Sequence, residues 1–282
     1  MKVVARGLGG FIGSPLKEEF SKKYEVLSLA RNVTPDDAAA QVDGAYAVIN
    51  LAGEPIAGKR WSKTQKKELI TSRLNTTRLL VEAMSKARNK PKVFLNASAI
   101  GFYGPRDTSP VSENTSAGSG FLADVCREWE RQALKAESFG VRVALLRTGI
   151  VLGTNGGALG KMLLPFQLGL GGPLGSGKQI MSWIHLEDEV SAILYCLENE
   201  NIHGPVNLTA PNPVSMAEFT KTLGRVLKRP AILPVPALAL KVLLGEMSTM
   251  LLEGQNVQPE VLAANRFQFK FKRLEDALKD LL

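Results

Sequence analysis

The chain is poor in the residues that metal and disulfide chemistry require. Its 282 residues include 2 cysteines and 2 histidines. Cys126 and Cys196 stand far apart in helix-like segments, so two buried free thiols are expected rather than a bridge. With His185 and His203 alone there is no metal-ligand spacing, and no metal is expected. No apolar run approaches the ~18 residues of a membrane-crossing helix, so no membrane contact is expected. The first strand begins at Met1, which leaves no room for a signal peptide ahead of it. These absences point to a reducing compartment, the cytoplasm or an organelle matrix, with the cytoplasm preferred. Nor does an aromatic–basic ladder appear, as a single-strand nucleic-acid platform would need. The net charge is +8, but Lys and Arg are spread along the chain. The nearest cluster, Lys63, Lys66 and Lys67, shares its helix with Glu68 and reads as a solvated face. No nucleic-acid partner is expected, and the positive balance suits an anionic small molecule.

The residues present describe a soluble globular chain, 45% hydrophobic and 22% charged. Its length allows one large domain, or a large one with a smaller lobe. The most telling stretch is MKVVARGLGGFIG. A short apolar strand runs into Gly7-x-x-Gly10-x-x-Gly13, and a helical pattern follows at once. Gly7 permits the tight turn, Gly10 removes a side chain that would block phosphates, and Gly13 lets the helix pack close to the strand. The positive end of that helix would face a diphosphate. Strand before, helix after and N-terminal placement together raise a weak glycine triplet to a dinucleotide signal.

Strands and helices then alternate. Strands are predicted at Glu25–Leu29, Ala45–Leu51, Val93–Asn96 and Val141–Leu146, and helices over Ser62–Arg88 and Phe121–Ser138. Only a short link is expected between Pro35 and Gly44. Near-continuous apolar strands separated by helices imply an α/β fold, a doubly wound parallel (Rossmann) sheet covered on both faces. From residue 153 the rhythm breaks. We divide the chain into a dinucleotide-binding core over 1–152, to which later strands return, and a mixed α/β segment over 153–282 that supplies a smaller substrate lobe.

Several strand ends carry candidate chemistry. Arg31 closes the second strand, where an acidic residue would bind a ribose diol and favour NAD. A cation there favours the 2′-phosphate of NADP, the alternative being a solvated arginine. Ala52 and Gly53, after the third strand, offer small residues for close approach of a flat ligand, or simply a tight turn. Asn96 to Gly104 and Arg147 to Val151 end the next two strands. Ser98 and Tyr103 are the nearest hydroxyls there, and Arg147 could clamp a phosphate.

GLGGFIG at 7–13, VINLAGEPI at 48–56, SRLNTTRLL at 72–80 and SAIGFYG at 98–104 together resemble an extended short-chain dehydrogenase/reductase. LRTGIVLG at 146–153, the run MLLPFQLGLGGPLGSGKQIMSWIH at 162–185 and MLLEGQNVQP at 250–259 narrow the resemblance. They are similar to the atypical epimerase family proteins, sugar-nucleotide epimerase-like homologues of cell-division inhibitors. The resemblance covers essentially the whole chain. It implies NADP(H) as cofactor, held by Gly7, Gly10, Phe11, Ile12, Gly13, Arg31, Leu51, Ala52, Glu68, Arg73 and Arg147. Arg6 departs from it, since such proteins often carry Thr or Gly there.

The expected catalytic pair is missing. Short-chain enzymes place Tyr-x-x-x-Lys on the helix after the fourth strand, where the lysine lowers the phenol pKa. Here that helix reads FLADVCR. Ser98 and Tyr103 stand as the candidate catalytic residues by elimination, and a lone phenol near pKa ~10 is a poor base at neutral pH. Gly172-x-x-x-x-Gly177-Lys178 mimics a P-loop, but Gln179 replaces the magnesium-binding hydroxyl and a strand follows, so ATP is not expected. His185 is read as structural before it is read as a proton donor. Two functions remain open: an NADP(H)-dependent oxidoreductase or epimerase acting on an unidentified carbonyl or hydroxyl, nucleotide sugars included, or a catalytically weak NADP(H)-binding redox sensor or regulator. The oligomeric state is left open.

Overall fold

The computed structural model describes residues 1–282. The chain runs β1 (Lys2–Arg6), α1 (Gly13–Ser21), β2 (Glu25–Ser28), α2 (Pro35–Val42), β3 (Ala47–Asn50), α3 (Lys63–Lys86), β4 (Val93–Ala99), β5 (Pro110–Val111), α4 (Phe121–Ala133), β6 (Arg142–Thr148) and β7 (Ile150–Leu152). There follow α5 (Gly157–Gln167), β8 (Ile180–Met181), β9 (Trp183–His185), α6 (Leu186–Glu198), β10 (Gly204–Leu208), β11 (Val214–Ser215), α7 (Met216–Leu227), α8 (Ala237–Leu244), α9 (Thr249–Leu252), β12 (Asn256–Val257), α10 (Glu260–Ala264) and α11 (Leu274–Leu281).

Six strands form one parallel sheet in the order β10-β6-β4-β3-β1-β2. The chain leaves β1 toward β2 on one side and returns to β3 on the other. The strand order therefore reverses between β1 and β3, which opens a crevice at the carboxyl ends of those two strands. Side chains alternate along each strand, so each face builds its own core. Val3, Ala5, Ile49, Leu95 and Leu146 pack with Leu16 and Phe20 of α1 and Val190, Ile193 and Leu197 of α6. Val4, Val48, Phe94 and Leu145 pack on the other face with Ala38 and Val42 of α2 and Leu80, Val81 and Met84 of α3. All four of those strand residues are essentially inaccessible, which explains why the strands read as unbroken apolar runs.

Two differences from the sequence reading have plain causes. The link after β2 is not bare: Thr34 Oγ1 accepts from the Asp37 amide, Pro35 enters the first turn, and Asp36 and Asp37 face the positive helix end, so α2 forms. The helix predicted to Ser138 is α-helical only to Ala133 and ends in a 3₁₀ segment, Leu134–Phe139. The edge strand β10 comes from beyond residue 200 and pairs with β6 from Gly204↔Ala144 to Leu208↔Thr148. A third core, Leu159 and Phe166 of α5, Trp183, Phe219 and Leu223 of α7, and Leu274 and Leu278 of α11, lies beside the sheet.

A buried polar cluster ties β3, β4, α3 and α4 together. Asn50 Nδ2 donates to Thr77 Oγ1 at 3.0 Å and to Asn96 Oδ1 at 2.8 Å. Trp129 Nε1 donates to the same Thr77 oxygen at 2.9 Å. Asn50 Oδ1 in turn accepts from the Ala52 amide, fixing the loop that leaves β3. Thr77→Val keeps the volume but strands the Trp129 donor, and should lower unfolding free energy by about 1–3 kcal/mol. Urea denaturation should show a lower midpoint with an unchanged slope.

Candidate active site

The turn from β1 into α1 leaves no space for side chains at two places. Gly7 has φ +92°, and a Cβ there would lie 2.6 Å from the Leu51 carbonyl carbon and 2.7 Å from the Ala52 nitrogen. A Cβ on Gly13 would stand 2.2 Å from the Gly7 oxygen. Gly10 has room, its nearest neighbour being that oxygen at 3.6 Å, so a ligand can approach its exposed backbone. The N-terminus of α1 has no side-chain cap and no acid in its first turn. Ser14 N–H is bonded to the Gly10 carbonyl and Pro15 has none, so the unpaired amides are those of Phe11, Ile12 and Gly13, at the uncompensated positive end of the helix. Ile12 is the helix N-cap residue, and Phe11 lays its ring across Gly153, Gly156 and Gly157 at the start of α5.

Arg31 is exposed just beyond β2. Its carbonyl accepts from Arg6 Nη2, so the end of β1 reaches across to the end of β2. Leu51 and Ala52 are half-buried where β3 ends, against Gly7. Arg73, from α3, lies against Gly53, donates to the carbonyls of Glu54 (3.1 Å) and Leu69 (3.0 Å), and covers the Trp129 ring. Glu68 stands exposed on the same helix and makes no ion pair with Arg73. The structure thus brings Gly7, Gly10, Gly13, Leu51 and Ala52 around one crevice, with Arg31 at one end and Arg73 behind the β3 loop.

The structure turns the side chains of Ser98, Tyr103 and Arg147 inward. All three are buried, Tyr103 completely. Ser98 Oγ donates to Glu130 Oε1 at 2.6 Å, and Tyr103 Oη donates to Asn207 Oδ1 at 2.7 Å. Arg147 grips Glu130 with Nε and Nη2 at 2.9 and 2.8 Å, and its Nη1 donates to Tyr103 Oη and the Glu113 carbonyl. Its guanidinium also packs 3.5 Å from the centre of the Phe102 ring. Four of its hydrogen bonds are internal, so its fork is engaged within the protein. Burial raises the Tyr103 pKa although the nearby Arg147 charge opposes it, so the phenol is no base near neutrality. The face of α4 that meets Gly101 at the end of β4 carries Leu122 and Cys126, four residues apart, where a phenol and an ammonium would project. Burial pushes the Cys126 thiol up to about 11, which makes it inert. Cys196 is likewise a buried free thiol.

Glu130 was not anticipated, although an acid in the stripe Ala123, Cys126, Glu130, Ala133 of an amphipathic helix signals a buried partner for a cation. Other groups take structural posts. His185 caps α6, its Nδ1 accepting from the Glu187 amide at 3.1 Å, and stacks on Phe271. Ligand atoms of His185, Glu187 and Asp280 lie within 4.8 Å of one another, a proximity the sequence spacing hides. Yet an accepting Nδ1 puts the ring proton on Nε2, and Glu187 already pairs with Lys270 at 2.7 Å, so this is no ready cation site. The segment 172–178 leads into β8 rather than a helix, and a Cβ on Gly172 would collide with the Leu233 carbonyl.

Glu189 of α6 is fully buried and accepts from Thr148 Oγ1 at 2.8 Å, while its Oε2 has no partner. Burial raises its pKa to about 8. A raised carboxyl pKa stabilises the fold fully below the unfolded value near 4.5 and loses that contribution as pH rises toward 8. Wild type should therefore lose stability relative to Glu189→Gln across that window, measured by denaturant unfolding at a series of pH values.

Comparison with known proteins places this geometry in context. Residues 3–208 match the family model described as NAD dependent epimerase/dehydratase, and residues 235–281 match a domain of unknown function, DUF1731. The Arabidopsis thaliana chloroplastic homologue of epimerase family protein SDR39U1 is 49% identical over 86% of this chain and 70% of its own length. Human SDR39U1 is 39% identical over the full length of both chains. A crystal structure of the human protein with NADPH superposes with a TM-score of 0.94 at 38% identity, covering 100% of this chain and 99% of that one. A nucleoside-diphosphate sugar epimerase from Corynebacterium glutamicum gives 0.82 at 28% identity, covering 100% of this chain and 58% of that one. With the parallel sheet, the glycine turn and these relatives in view, the chain belongs to the NAD dependent epimerase/dehydratase family.

Proposed function

We propose that the protein binds NADP(H) across the carboxyl ends of its strands and acts as an oxidoreductase or epimerase-like protein on a carbonyl or hydroxyl substrate. The observation that carries this reading is the crevice between β1 and β3. An uncapped helix N-terminus faces it, its floor tolerates no side chain at Gly7 or Gly13, and a cation rather than an acid stands at the end of β2. The amides after Gly10 hold the diphosphate, with Phe11 and Ile12 framing it. The backbone at Leu51 and Ala52 lines the crevice wall, and Arg31 meets the 2′-phosphate. Arg73, on α3, borders the β3 loop toward the nicotinamide half, and Glu68 stands exposed five residues earlier on the same helix. The cofactor supplies or accepts a hydride, and the residues named bind and orient it. The NADPH complex of the human relative supports the choice of cofactor. The Corynebacterium relative makes nucleotide sugars the first substrate class to test.

A second reading rests on a specific observation. Ser98 and Tyr103 are buried and hydrogen-bonded away from solvent, and α4 presents Leu122 and Cys126 in place of a Tyr–Lys pair. An NADP(H)-binding sensor or regulator needs no such pair. Purified protein incubated with NADPH and a panel of carbonyl compounds and nucleotide sugars separates the two. Cofactor oxidation above background supports the enzyme, and tight binding with no turnover supports the sensor. Absence of binding to either dinucleotide refutes both.

Arg31→Asp should weaken NADPH at least about tenfold more than NADH, read by nucleotide fluorescence titration. Equal loss of both would remove Arg31 from the 2′-phosphate site.

A further inference from the structure

Arg6 is the one charged residue on β1 whose side chain is buried, with 8% of its surface exposed. It precedes Gly7 directly and shares a strand face with Val4, over the apolar layer of α2 and α3. Burying a guanidinium is costly unless all of its donors are used. Here one terminal nitrogen, Nη2, donates to the Arg31 carbonyl, and the other, Nη1, has no partner at all. No carboxylate forms an ion pair with Arg6 or with Arg31. The protein's other buried arginine, Arg147, is paired with Glu130 on two nitrogens. Arg6 therefore sits beside a second guanidinium, desolvated and uncompensated. Burial, and after it the Arg31 charge, lowers its pKa.

Two arginines stand at the joined ends of β1 and β2, and the buried one keeps a donor that no group of the protein uses. We infer that Arg6 is a second specificity-determining residue for the 2′-phosphate of NADP(H), sharing that group with Arg31. The inference rests on the cofactor reading above and adds a residue to it. A doubly charged phosphate monoester has three oxygens, enough for Arg31 from the solvent side and Arg6 Nη1 from beneath. The exposed Arg31 side chain is free to shift and admit the group, while the Arg6 bond to its carbonyl keeps the two cations in register. An unphosphorylated ribose offers no charge to either residue. Arg6 then discriminates between the two dinucleotides rather than adding equally to both.

The test is titration of the whole protein with NADPH and NADH, using wild type, Arg6→Met, Arg6→Lys and Arg31→Ala. Wild type should prefer NADPH. Arg6→Met, similar in length and uncharged, should cut the NADPH-to-NADH affinity ratio at least about tenfold, and Arg6→Lys should restore part of it. Arg31→Ala leaves Arg6 untouched, so it keeps the inference testable even if the Arg6 variants misfold. That variant should retain a residual NADPH preference, and the preference should weaken with added salt. Three results overturn the inference: an unchanged ratio in Arg6→Met, complete loss of preference in Arg31→Ala, or a wild type that binds both dinucleotides equally. A wild type that binds neither nucleotide overturns the cofactor reading itself. A discriminating wild type with an indifferent Arg6→Met overturns only the role of Arg6.

Discussion

The missing side chain at Gly13 is the constraint on which the rest of the site depends. With a Cβ there 2.2 Å from the Gly7 oxygen, α1 could not start where it does. Its axis would move away from β1, and its free amides would no longer aim between β1 and β3. The same contact lets Leu16 and Phe20 reach the sheet and close one of the two cores. Local geometry, core packing and the anion-seeking end of the helix are thus one feature seen at three scales.

Charged groups in this molecule divide between architecture and recognition. Arg147 and Glu130 are buried together and fully engaged, with Ser98, Tyr103 and Glu113 hydrogen-bonded around them. Such a cluster fixes the ends of β4 and β6 against α4, and any loss of one member would leave the others unpaired in a dry interior. The same polar residues that suggest proton transfer in the linear sequence therefore serve as internal struts. Arg6 and Arg31 lie at the opposite extreme, cations with no internal counter-charge.

The fold was legible because its signals are local and periodic. Apolar strands, a glycine turn between a strand and a helix, and a long amphipathic α3 each imply their neighbours. The helix after β2 is harder to read, because it depends on the Thr34 cap and a first-turn proline, which outweigh a short, weakly apolar pattern. The glycines of the turn were readable for the same reason that they are needed, since spacing alone places them. Side-chain direction was not readable. Ser98 and Arg147 lie near the carboxyl ends of β4 and β6 and Tyr103 just beyond β4, and only their three-dimensional partners, Glu130 and Asn207, turn them inward. Those partners lie 32, 104 and 17 residues away, beyond the reach of any spacing rule.

The ring of Phe11 is the point where the phosphate turn touches the rest of the chain. It lies on the backbone of Gly153, Gly156 and Gly157, whose absent side chains make the resting place, and those residues lead straight into α5. A displacement of the turn when a diphosphate settles on it must either carry that aromatic plate along or pull it off its seat. Through that one ring the glycine turn is packed against the start of a helix more than a hundred positions downstream.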